Sequence, residues 1–100
     1  MIVVRNVFRL KFGAAKEALA AFKEIGEVAK KSGFADGSFR VLTDLVGSYY
    51  TLVLETSHQS LADYERTSTS GMSDENWRAA YKKFTPYVES GYREILSVVQ

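Results

Sequence analysis

Apolar positions along this chain follow two periods, and the switches between them mark out the elements. Over residues 1–12 (MIVVRNVFRLKF) the pattern alternates from Arg5 onward. Asn6, Phe8, Leu10 and Phe12 point to one side, and Arg5, Val7, Arg9 and Lys11 to the other, as in a strand with one apolar face. After Gly13 the steps lengthen to three and four. Ala15, Ala18, Leu19, Phe22, Ile25 and Ala29 form one helical stripe over residues 14–32, and Gly33 is a natural stop. Residues 38–56 (SFRVLTDLVGSYYTLVLET) read as two strands joined by a tight turn at Leu45-Val46-Gly47. The second of these strands, from Ser48, is rich in the β-branched and aromatic residues that suit a pleated surface.

The second half repeats the helix-then-strand order. Residues 57–67 suit a short helix capped by Ser57 or Ser60 and anchored by Leu61 and Tyr64. Residues 68–71 (STSG) read as a polar break. A further helix starts at Ser73, with Asp74 and Glu75 where the helix dipole favours acids. Trp77, Ala80, Tyr81 and Phe84 make its buried stripe, and Pro86 ends or kinks it near Phe84. Residues 91–99 alternate as a last strand, with Tyr92, Glu94, Leu96 and Val98 against Arg93, Ile95, Ser97 and Val99.

This order predicts an α+β fold of the ferredoxin-like βαββαβ kind, a four-stranded antiparallel sheet with helices on one face. One hundred residues make a single domain over 1–100. The faces carrying Phe8, Leu10, Leu52 and Leu54 are assigned to the helices. The opposite face then holds Arg5, Val7, Arg9, Leu42, Tyr49, Thr51, Val53 and Glu55. It mixes charge with a contiguous apolar patch, and such a patch usually marks an interface. The economical cover is a second copy, sheet against sheet, giving a homodimer and a dimeric α+β barrel.

Composition narrows the partners. A net charge of +1, with the charges scattered, gives no electrostatic case for nucleic acid or an anionic membrane. The absence of cysteine removes disulfides, thiolate metal sites and cysteine nucleophiles. Apolar runs fall far short of the ~20 residues of a membrane span, and a cytoplasmic location is the default expectation. No metal and no cofactor are expected, because the single histidine has no HxH, HxxxH or HxxE companion.

That histidine, His58, is the first place to look for an acid or base, since imidazole titrates near neutrality. The simpler reading is a surface residue in the first turn of a short helix. Arg5 and Arg9 project from one strand face and, with Glu55, could bind a carboxylate, phenolate or phosphate. The competing reading makes them structural ion pairs with Glu55, Asp44 or Glu94. Tyr49 and Tyr50 point to opposite faces, which makes Tyr49 the pocket candidate.

LKFG at 10–13, VLTDLVGSYYTLVLE at 41–55, SLADYE at 60–65 and FTPYVESGYREIL at 84–96 resemble the NIPSNAP-type proteins. Those belong to the dimeric α+β barrel superfamily, alongside antibiotic-biosynthesis monooxygenases and haem-degrading enzymes. The resemblance implies a barrel shared by two subunits and little about chemistry. Haem-degrading members use an Asn, a Trp and a His, types that recur here as Asn6, Trp77 and His58, although His58 and Trp77 lack that family's motifs. The expectation is a small homodimeric barrel holding a small apolar or aromatic molecule between sheet and helices. It would act as a cofactor-independent oxygenase or isomerase-like enzyme, or alternatively as a non-catalytic structural or ligand-carrying module.

Overall fold

The computed structural model describes residues 1–31 and 39–100. The chain runs β1 (Ile2–Leu10), α1 (Ala15–Lys31), β2 (Phe39–Thr43), β3 (Thr51–His58), α2 (Leu61–Ser73), α3 (Glu75–Phe84), a 3-10 turn (Thr85–Tyr87) and β4 (Val88–Ser97). The strands form one antiparallel sheet in the order β2-β3-β1-β4. This is the expected ferredoxin-like arrangement. The expected stop at Gly33 and the start of the hairpin at Ser38 lie outside the described residues.

The main core cluster lies at one end of the helix-facing side of the sheet, while toward the other end Val4 of β1 and Ala29 of α1 are also buried. Leu10 and Leu52 meet Ala18, Phe22 and Ile25 of α1 and Ala80 and Phe84 of α3, all buried. Phe84 is fully buried, with edge-on or tilted ring contacts to Phe8, Phe22 and Tyr81 at 5.2, 5.1 and 6.1 Å. α3 carries its stripe as the period predicts, but only Ala80 and Phe84 are buried; Trp77 and Tyr81 are half-buried and stack on each other at 4.9 Å.

Several boundaries differ from the pattern, each for a local reason. The polar stretch at 68–71 does not break the helix: α2 continues through it to Ser73. The hydroxyls on either side of it bond back into the helix, Thr67 Oγ1 to the Asp63 carbonyl at 3.1 Å and Ser73 Oγ to that of Thr69 at 2.9 Å, so they do not compete with it. Ser60 caps α2, accepting from Asp63 N, and Asp74 rather than Ser73 caps α3, accepting from Trp77 N at 2.9 Å. The β2–β3 connection is wider than a tight turn. Asp44 Oδ1 accepts from Thr51 N at 3.0 Å, closing a loop over 44–50 in which Tyr50 takes a left-handed φ of 60°. β1 stops at Leu10, which leaves Phe12 exposed against the Tyr50 ring at 4.8 Å. β4 begins at Val88, three residues earlier than the alternation suggests, across an irregularity at Arg9/Leu10.

The side of the sheet away from the helices has its own order. Strand register sets Leu42, Val53, Val7 and Tyr92 in one lateral row and Arg40, Glu55, Arg5 and Glu94 in the next. The second row alternates in charge, and neighbours pair throughout: Arg40 with Glu55, Arg5 Nε with Glu55 at 3.6 Å, and Arg5 Nη1 with Glu94 at 3.1 Å. Cross-strand neighbours of opposite sign stabilise a sheet. The row is therefore neutral as well as paired. Among the described residues, no helix is long and apolar enough to cross a membrane.

Candidate functional site

Beyond the packed end, the gap between sheet and helices opens into a cleft of about 1130 Å³. Register explains why. Moving along β1 from Phe8 toward the N-terminus, the helix-facing partners change from Leu52 and Gly91 to Leu54 and Arg93 beside Asn6. They then become Thr56 and Ile95 beside Val4, and finally His58 beside Ile2. The floor thus gains the polar side chains Asn6, Arg93, Thr56 and His58 around the buried Val4. α2 forms the outer wall, with Gly71 as its only buried residue. Phe8, Phe22, Leu54, Trp77 and Tyr81 give the cleft an apolar end.

The polar end is a small cluster around Tyr64 of α2. Arg93 Nε donates to Asn6 Oδ1 at 2.6 Å, and its guanidinium lies 5.9 Å from the centre of the Tyr64 ring. His58 meets the same ring edge-on at 5.2 Å, and its Nε2 lies 2.9 Å from Thr56 Oγ1. Arg66, also on the cleft wall, is paired with Asp63 one helical turn away. Here an aromatic or aliphatic body could lie against the rings while a polar group meets His58 or Arg93.

The expected site residues separate onto different surfaces. His58 is at the end of β3, not in the first turn of a helix; it is half-buried and faces the cleft. The strand runs two residues further than Thr56, and the same alternation that turns Leu52 and Leu54 inward turns His58 inward too. Arg5, Arg9 and Glu55 lie on the uncovered face and do not line the cleft. Arg5 and Glu55 belong to the charge-alternating row, whereas Arg9 is exposed. Tyr49 lies on no strand face: the wide loop carries it, 71% exposed, beside a shallower hollow of about 570 Å³ with Phe12, Lys16 and Asp44. Asn6, His58 and Trp77 do come to one cleft. However, Asn6 is bonded to Arg93 and His58 Nε2 to Thr56, so the protein's own contacts engage both and no haem chemistry follows from their placement. Among the described residues, no three His, Cys, Asp or Glu side chains gather to hold a metal ion.

Two cleft residues escaped the sequence reading. Tyr64 is expected only as an inward anchor of its helix and Arg93 only as one face of the last strand, so the pattern assigns neither a place in a site. The signal was available only through pairing: Arg93 shares a face with Ile95 and Ser97, and antiparallel register sets it beside Asn6.

Solved structures similar to this chain agree with the fold. A NIPSNAP family protein from Agrobacterium tumefaciens superposes with a TM-score of 0.84 at 22% identity, covering 96% of this chain and 90% of that one. A NIPSNAP domain protein from Burkholderia xenovorans gives 0.82 at 19% identity, covering 99% and 95%. An antibiotic biosynthesis monooxygenase gives 0.75 at 13% identity over the whole of both chains. No curated protein matches the chain significantly. The sequence profile of the NIPSNAP family, by contrast, matches residues 4–100, which takes in every strand and helix except the first two residues of β1. The chain belongs to the NIPSNAP family.

Proposed function

We propose that this protein binds a small, largely apolar or aromatic molecule in the cleft between the sheet and α1–α3, and that it works as a homodimer paired through the uncovered sheet face. One observation carries the binding reading. The cleft joins an aromatic end, with Phe8, Trp77 and Tyr81, to a polar end with His58, Asn6 and Arg93. The pairing is supported by the row Leu42–Val53–Val7–Tyr92, where Leu42 and Tyr92 remain 36% and 63% exposed. A self-neutralised charge row beside it could be covered by a second copy without stranding a charge.

An enzyme reading gains support from His58, because an imidazole beside a bound aromatic molecule can take or return a proton. The fold likeness to an antibiotic biosynthesis monooxygenase is compatible with cofactor-independent oxygenation or isomerisation on that same cleft. A carrier would need the cleft alone.

The test is mass spectrometry of what purified protein releases on denaturation, together with Ser68→Phe, which projects a ring from α2 into the cleft. A small molecule released by the wild type and absent from the folded variant is the expected result. Retention of the same molecule by Ser68→Phe would place its site elsewhere and defeat the reading.

A further inference from the structure

The ionic character of the cleft points to a narrower class of ligand. Among the described residues lining it are three arginines, Arg66, Arg78 and Arg93, and one carboxylate, Asp63. Asp63 already pairs with Arg66. Arg93 stands at the polar end of the floor with no carboxylate in ion-pair range among the described residues, whereas Arg5 and Arg40 on the opposite face are both paired. Its only described hydrogen bond runs from Nε to Asn6 Oδ1, and that bond fixes the plane of the guanidinium. The Tyr64 ring, 5.9 Å away, flanks the same group. Nη1 and Nη2 remain as a pair of donors on a solvent-exposed side chain that no described protein group receives. A planar fork of this kind matches a carboxylate in a bidentate manner.

We infer that the cleft selects molecules that carry an anionic oxygen, a carboxylate or its equivalent, on an apolar or aromatic body, with Arg93 receiving the anion and Asn6 positioning Arg93. This rests on the ligand-binding reading of the cleft and adds the chemical class. The body lies toward Trp77 and Tyr81, and the anion lies toward Arg93. The neutral acceptor Asn6 holds Nε without neutralising the guanidinium, so its full charge remains for the ligand. A glutamate at that position would have cancelled it.

Trp77 is the single tryptophan of the chain and lines the cleft, so its emission reports occupancy directly. The probes are 4-phenylbutyrate and the uncharged 4-phenylbutan-1-ol, which share a body and do not absorb at 295 nm. They are titrated into the wild type, Arg93→Met, Asn6→Ala and, as a control, Arg66→Met. The wild type is expected to prefer the acid by at least about tenfold, as a hydrogen bond to a charged group allows. Arg93→Met should abolish that preference. Asn6→Ala should reduce it, and Arg66→Met should preserve it. Equal binding of acid and alcohol by the wild type would overturn the inference and leave the cleft reading standing. So would a preference that survives in Arg93→Met. If neither probe perturbs Trp77, the cleft reading falls together with the inference. Circular dichroism melts confirm that each variant is folded, which Arg93→Met should satisfy because the residue is exposed on an edge strand.

Discussion

Truncating Phe84 and Trp77 separately, each to alanine, measures how the space between sheet and helices is filled. Both belong to the apolar stripe of α3, and a uniform core would make them equally costly to remove. The structure divides them. Phe84 is fully buried among Phe8, Phe22 and Tyr81, so Phe84→Ala removes a whole ring from a close-packed site. Truncations of this kind cost about 3–5 kcal/mol. In a domain of this size that lowers the melting temperature by on the order of 15–30 °C. Trp77 is half-buried, stacked on Tyr81, and lines the cleft formed by the described residues. Losing about half the burial plus one stacked pair amounts to roughly 2 kcal/mol. The assay is urea denaturation followed by far-ultraviolet circular dichroism, at one protomer concentration so that self-association does not enter the difference. A Trp77→Ala loss equal to that of Phe84→Ala would show that the cleft is closed and packed in solution, and the binding reading would lose its site.

Two further outcomes follow from the uncovered face. In sedimentation equilibrium the wild type should exceed the 11.2 kDa of one chain, and Leu42→Glu should return it to that mass while remaining folded. Leu42 is the better probe than Val53, which its own strand neighbours already bury to 7% exposure, so a charge there would damage the single chain as well. A wild type that sediments as a monomer removes the dimer. Arg5→Met should cost about 1 kcal/mol, a value held down by solvent screening, because it breaks the charge-alternating row at its centre and leaves Glu94 without its partner. Arg9→Met should fall within about 0.5 kcal/mol of wild type, as exposed substitutions do. Equal effects of the two in thermal melts would contradict the row as a structural device.

Local periodicity carries the element order, the two faces of each strand and most of the helical stripes, because burial on a strand or helix is a property of spacing. The inward set Phe8, Leu10, Leu52 and Leu54 was legible for that reason, and so was the mixed outer face with Leu42 and Val53. Irregular backbone broke the rule at Tyr49. Parity assigns a face only while the strand continues, and Asp44 closes a wide loop there through Thr51. His58 was misplaced for the converse reason: one strand continued into a polar run, and polarity alone gives no sign of facing inward at a cleft. The cleft itself could not be read from one dimension. Its floor depends on register, which sets Arg93 beside Asn6 across two strands far apart in the chain, and its roof depends on how far α1 and α3 reach over the sheet. Whether a side chain such as Trp77 is core or lining depends on what lies opposite it. Only the tertiary packing of several elements decides that, since volume left unfilled between them is not a property of any one segment.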